Sequence, residues 1–144
     1  MNTVARRLRA QAGYTLMELL VVLAILGLLT AIATPYVLHY LETAKVKTAR
    51  TEVANVTAGL DMFKADVGRY PTTEEGLDAL FKAPPGVDNW DGPYIKKTDA
   101  LNDPWGRPYH YESPGKHQNE FDLYSYGPHK EAQPGEAKPP VANW

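Results

Sequence analysis

From Tyr14 to Leu38 the chain runs 25 residues with a single charged side chain, Glu18, and then its pattern changes. A stretch of that length and polarity is long enough to cross a bilayer as a helix. Farther on, Ala49, Val53, Val56, Leu60, Phe63 and Val67 step by 4, 3, 4, 3 and 4, the spacing of one apolar stripe on a helix. Lys45, Lys47, Arg50, Glu52, Asp61, Lys64 and Asp66 lie between them as a solvated face. Together the patterns predict one helix from Tyr14 to Asp66, apolar all round in its first half and amphipathic in its second. Pro35 removes one backbone hydrogen bond, which predicts a kink or local unwinding there. Gly27 and Gly59 weaken the helix modestly.

Gly68 ends this helix, as glycine commonly does. Arg69 to Thr72 form an extended turn, and Thr72 with Glu75 fits a capping box that opens a short helix through Leu77, Leu80 and Phe81. Pro84-Pro85-Gly86 closes it. From Val87 onward Tyr, Trp, Pro and Gly are dense and the β-prone runs are short. Pro93-Tyr94-Ile95 is an edge candidate; 107–112 and 120–126 alternate as strands, joined around Ser113-Pro114-Gly115. Asp103-Pro104-Trp105-Gly106 reads as a turn with proline second. The expected fold is α+β: a long N-terminal helix (14–38 membrane-spanning, 39–67 amphipathic), a short helix, and a small antiparallel sheet at about 93–127. The sheet packs on the stripe, and a C-terminal loop, 128–144, completes a head spanning 39–144.

Residues 1–13 carry Arg6, Arg7 and Arg9 and no acid, so this flank stays cytoplasmic and the rest is exported. Gly13 marks the border between charge and grease. A cut between Gly13 and Tyr14 would remove the arginines and leave the apolar helix in place. Hydropathy alone fits an uncleaved signal anchor equally well. A charge near the centre of a membrane helix costs roughly 2.5–3.5 kcal/mol, less near its end, so Glu18 requires either a partner or an interfacial position. Cleavage would supply a partner, because the new amine at Tyr14 lies about one turn from the carboxylate. In a filament, Glu18 of one copy would pair with the amine of the next and fix the register.

Composition narrows the rest. The 144 residues allow one domain plus a membrane segment. The net charge of −2 becomes −5 once three arginines leave, which is no footprint for nucleic acid. With no cysteine the fold cannot use disulfides. His39, His110, His117 and His129 lack ligand spacing, and Ser113 and Ser125 lack a nucleophile motif. Asp99 and Asp103 read as turn residues. Nothing here suggests catalysis or a metal. The aromatics from Trp90 to Tyr126 read as core and subunit contacts, with a carbohydrate or peptide surface as the alternative.

The arginine leader, Gly13, Tyr14-Thr15-Leu16 and Glu18 five residues into the mature chain resemble the class III signal of type IV pilins and pseudopilins. In that family a prepilin peptidase cuts after the glycine and methylates the new amine; Tyr14 stands where phenylalanine is usual. Six further segments resemble the major pseudopilin of type II secretion systems: Gly68-Arg69-Tyr70-Pro71-Thr72, Glu75-Gly76-Leu77, Gly92-Pro93-Tyr94, Asp103-Pro104-Trp105-Gly106, Ser113-Pro114-Gly115-Lys116-His117 and Phe121 to Gly127. The resemblance implies a type IV pilin-like fold and a single-pass protein of a Gram-negative inner membrane with a periplasmic head. It also implies a homopolymeric pseudopilus that helps drive folded exoproteins through the outer-membrane secretin. The implied partners are minor pseudopilins, the inner-membrane assembly platform and its ATPase, and the prepilin peptidase.

The family also commonly holds calcium in the loop after its last strand, using aspartates. Here His129 stands at the first such position, Lys130 follows, and Pro139-Pro140-Val141-Ala142 precede Asn143-Trp144. Calcium wants six to eight oxygens, usually several from carboxylates, so no cofactor is expected. Proline stiffness and packing of Trp144 would hold the loop instead. Two other readings are a type IV pilin for adhesion, motility or DNA uptake, and a signal-anchored periplasmic binding domain that never polymerises. The missing cysteines, acidic charge and head motifs argue against the pilin.

Overall fold

The structure is a computed structural model that describes residues 13–96, 101–131 and 139–144. It divides into two units, Met1–His39 and Tyr40–Trp144. One helix, α1 (Leu16–Val67), supplies both the apolar run of the first unit and the backbone of the second. No unwinding accompanies Pro35: the helical assignment continues through it. Proline costs the ladder one N–H, while its fixed φ suits a helix, and the bonds on either side hold. In the first unit the large apolar side chains described from Tyr14 to Leu38 are all exposed, between 47% and 77%.

The stripe on α1 is the core of the second unit. Ala49, Val53, Val56, Leu60 and Phe63 are buried, and Val67 packs at the edge. Opposite them lie Leu77, Ala79, Leu80, Tyr109, Phe121, Leu123 and Val141. At Gly59 another segment comes close to α1: a Cβ there would meet Ile95 Cγ1 at 2.8 Å. Its missing side chain therefore makes room for the Tyr94–Ile95 segment. The face expected to be solvated is partly used. Glu52 accepts a bond from Tyr109 Oη at 2.7 Å, Asp61 one from Tyr70 Oη at 2.9 Å, and Lys64 reaches Glu120 at 2.5 Å.

Gly68 ends α1 with φ of 85° and a bond from its N–H to Lys64 O. The Thr72/Glu75 capping box forms in both directions, at 2.8 and 3.2 Å. What it opens is a turn and then a 3-10 helix, Leu77–Leu80, rather than an α-helix. Gly76 sits at φ 60° directly before it, outside the α region.

Three short strands make one antiparallel sheet in the order β1 (His110–Glu112), β2 (Asp122–Ser125), β3 (Val141–Ala142). His110 faces Tyr124, and Ser125 faces Val141. The sheet differs from expectation in three ways. Pro93–Ile95 is no strand; Tyr94 N–H bonds to Leu80 O instead. Residues 107–109 pair with 101–103 around the Asp103 turn, through Asp103 N to Arg107 O and Tyr109 N to Leu101 O, so β1 starts only at His110. The third strand comes from the tail that was expected to be loop. β2 lies in the middle, and Asn143 extends the pairing: its side chain accepts from Leu123 N at 2.9 Å and donates to Phe121 O at 3.0 Å.

The aromatics divide between two environments. Tyr109 is buried, and Trp90, Tyr94, Trp105 and Tyr111 pack against the core. On the sheet, His110 stacks on Tyr124 at 5.0 Å, and Trp144 stacks on His117 at 4.0 Å.

Candidate processing and assembly site

The N-terminal end of α1 is built by Thr15. Its hydroxyl accepts the Glu18 N–H at 3.2 Å and its carbonyl accepts Leu19 N–H at 3.2 Å, which makes Thr15 the N-cap. Glu18 is thus the third helical residue, in the first turn, where an acid is favoured by the helix dipole. The spacing Thr15-x-x-Glu18 is itself a capping-box signature, a sequence signal overlooked beside the charge argument. Gly13 and Tyr14 precede the cap in non-helical backbone, and both are exposed. An exposed, non-helical peptide next to a capped helix is what a peptidase can enter without unwinding secondary structure.

Tyr14 stands four positions before Glu18, with Tyr14 and Thr15 both outside the helix. One ladder position is lost at Pro35, and the hydroxyls of Thr30 and Thr34 each donate to the carbonyl four residues back, at 2.7 Å. All of these residues lie in the first unit.

The other proposed site residues lie in the second unit. His129 is exposed, with its N–H on Tyr126 O at 3.2 Å. Pro139 and Pro140 precede β3, and the Pro140 ring lies against Gly127, where a Cβ would stand 2.8 Å from Cγ. Asp99 lies outside the described residues. Asp103 is buried and works as a turn residue: Oδ1 accepts Trp105 and Arg107 N–H groups at 3.0 and 2.9 Å, and Oδ2 accepts Ser125 Oγ at 2.6 Å.

Electrostatics in the head serve the packing. The Arg69 guanidinium grips Glu75 at 2.6 and 2.7 Å and holds its carboxyl below the usual range. The Trp105 indole does the same to Glu42. Burial and then Glu52 push the Tyr109 hydroxyl up, and burial pushes Tyr111 up to about 12. These tyrosines stay protonated as donors: Tyr109, just before β1, bonds to α1 through Glu52, and Tyr111 in β1 bonds to Pro71 O in the turn after α1.

Two family descriptions match this chain: "Type II secretion system (T2SS), protein G" over residues 36–144, and "Prokaryotic N-terminal methylation motif" over residues 8–34. The type II secretion system core protein G of Pseudomonas aeruginosa is 42% identical over 141 residues, covering 94% of this chain and 96% of the relative. That of Aeromonas hydrophila is 39% identical over 140 residues, covering 94% of each. Among solved structures, the major pseudopilin from the type 2 secretion system of enterohaemorrhagic Escherichia coli matches with a TM-score of 0.59 and 32% identity. That match covers 74% of this chain and 92% of the other.

Proposed function

The chain belongs to the type II secretion system protein G family, and from that premise we propose how its two ends cooperate in a secretion filament. It is the major structural subunit of a type II secretion pseudopilus: a membrane-anchored building block, not an enzyme. The observation that carries this reading is the union, in one chain, of a protein G head over 36–144 with an N-methylation motif over 8–34.

A prepilin peptidase cuts between Gly13 and Tyr14 and methylates the Tyr14 amine, which keeps its positive charge. The apolar half of α1 holds the subunit in the inner membrane, with its N-terminus cytoplasmic and its head periplasmic. The arginines of the leader support that orientation. Copies of the chain assemble with minor pseudopilins on the inner-membrane platform, driven by its ATPase, and the growing fibre helps move folded exoproteins through the outer-membrane secretin.

Outside the bilayer, burial of the exposed apolar side chains favours packing of these helices, but it is non-directional. Glu18 supplies direction. An acid left unpaired among apolar helices is costly, so the register in which it meets a neighbour's Tyr14 amine is selected over others. Pro35 marks a missing rung of the ladder, where packed helices can loosen as a subunit leaves the bilayer.

Mass spectrometry of the membrane-extracted protein tests the processing: a chain starting at Tyr14 with one added methyl is expected, and one starting at Met1 would sink the reading. Glu18→Ala then tests register. The local cost of losing an acid from the first turn is about 0.3–1 kcal/mol, too small to unfold α1. The variant should insert and be cut yet fail to form fibres; wild-type fibre yield would remove the pairing argument.

A further inference from the structure

The loop after β2 is closed by a side chain carrying a permanent positive charge. Arg107 donates from Nη2 to Gly127 O and from Nη1 to His129 O. Its position is fixed from behind. Arg107 N–H bonds to Asp103 Oδ1 at 2.9 Å, Arg107 O accepts Asp103 N–H at 2.6 Å, and the guanidinium lies 3.6 Å from Asp103 Oδ2. Asp103 in turn accepts Ser125 Oγ, which accepts Gly127 N–H at 3.1 Å. The turn at 103–107, the end of β2 and the first residues of the loop therefore form one network. Pro140 seals it by packing on Gly127.

A calcium ion, which the family resemblance implies in this loop, would have to draw on oxygens within reach of this network. Calcium draws on backbone carbonyls together with several carboxylates. The carbonyls of Gly127 and His129 already face a guanidinium that would repel it. Both oxygens of Asp103 are in use, and the only acids in the stretch 127–142 are Glu131 and Glu136. Among the described residues no group of three or more His, Asp or Glu side chains is placed to hold a metal. The residues do not fit the ion.

We infer that the Arg107 guanidinium is the built-in cation of this head, clamping the loop after β2 in the place of a metal. A planar fork with fixed donors suits two carbonyls on one loop, and it is always charged. The clamp acts within one chain and does not depend on fibre assembly, so it can fail while the assembly reading stands.

The test uses the full-length processed chain in detergent. Melting is followed in chelator and then with calcium at about 5 mM, above the roughly 10⁻⁴–10⁻³ M range of weak extracellular sites. The two midpoints should coincide; a calcium-induced rise of about 4 °C or more would overturn the inference. Amide hydrogen exchange then compares wild type with Arg107→Gln. The Gly127 and His129 amides should exchange at least about tenfold faster, as expected when a charged hydrogen-bond donor is lost, while the middle of α1 keeps its protection. Unchanged exchange in the loop would rule out the clamp. If Arg107→Gln does not fold, Arg107→Lys, which keeps the charge but loses the fork, decides by the same comparison.

Discussion

Gly59→Ala separates helix propensity from packing in a single atom. Replacing glycine by alanine inside a helix gains about 1 kcal/mol from propensity alone. Here the added methyl would stand 2.8 Å from Ile95 Cγ1 and 3.2 Å from its Cδ1. A real Cβ does not tolerate the shorter distance, and Ile95 is stiff at χ1, so the Tyr94–Ile95 segment must move. Overpacking of this kind costs about 1–3 kcal/mol. The clash outweighs the gain, and a net loss of about 1 kcal/mol is expected, or roughly 4 °C in melting temperature for a head of this size. The sign should reverse where Ile95 is already alanine. There Cγ1 is gone, the Tyr94 carbonyl at 3.4 Å is an ordinary contact, and Gly59→Ala should stabilise by up to about 1 kcal/mol. The double-mutant cycle thus predicts a coupling of about 2 kcal/mol, in which the separate cost of Ile95→Ala cancels. Denaturant titration of the four proteins in one detergent, read by tryptophan fluorescence, measures it; Trp90 packs edge-on to Tyr94 at 5.7 Å and reports the segment. A Gly59→Ala variant more stable than wild type, or a cycle with no coupling, would refute the close approach.

Two further predictions concern the head. Glu75 bonds both Arg69 and the Thr72 N–H, and its carboxyl is held below the ordinary range, so its contribution is present above the ordinary carboxylate pKa and lost as pH falls through the depressed folded value. Glu75→Gln should cost about 1–2 kcal/mol at neutral pH and narrow the difference between melting temperatures at neutral and acid pH; an undiminished difference would count against it. Asn143→Ala removes the partners of Leu123 N–H and Phe121 O beside the central strand. A loss of about 2 kcal/mol, with faster exchange of the Leu123 amide, is expected, and a change below about 0.5 kcal/mol would show that Asn143 is not part of the sheet.

The first unit and the core stripe were legible in the sequence because their signals are local. Twenty-five greasy residues, an arginine leader, Gly13 and Glu18 need no fold to be read, and 4-3-4-3-4 spacing names a buried helix face before its partner is known. The protein G match was equally open, because its motifs are contiguous. The turns at Gly68 and Asp103 followed from backbone chemistry confined to four or five residues. What escaped was long-range. Two residues, Val141 and Ala142, carry no strand signal of their own behind two prolines; they became β3 because β2 had an open edge and Asn143 could cap it. Residues 107–109 left the expected strand because the Asp103 turn claimed their backbone groups first. Gly59 looked like a weak point until Ile95 was seen against it. The sequence by itself determined which segments are apolar and which family the chain joins, since periodicity and motifs are carried by neighbours along the chain. Only the tertiary structure decided that Arg107, twenty residues before Gly127, would close the loop after β2, because that depends on two turns meeting in space.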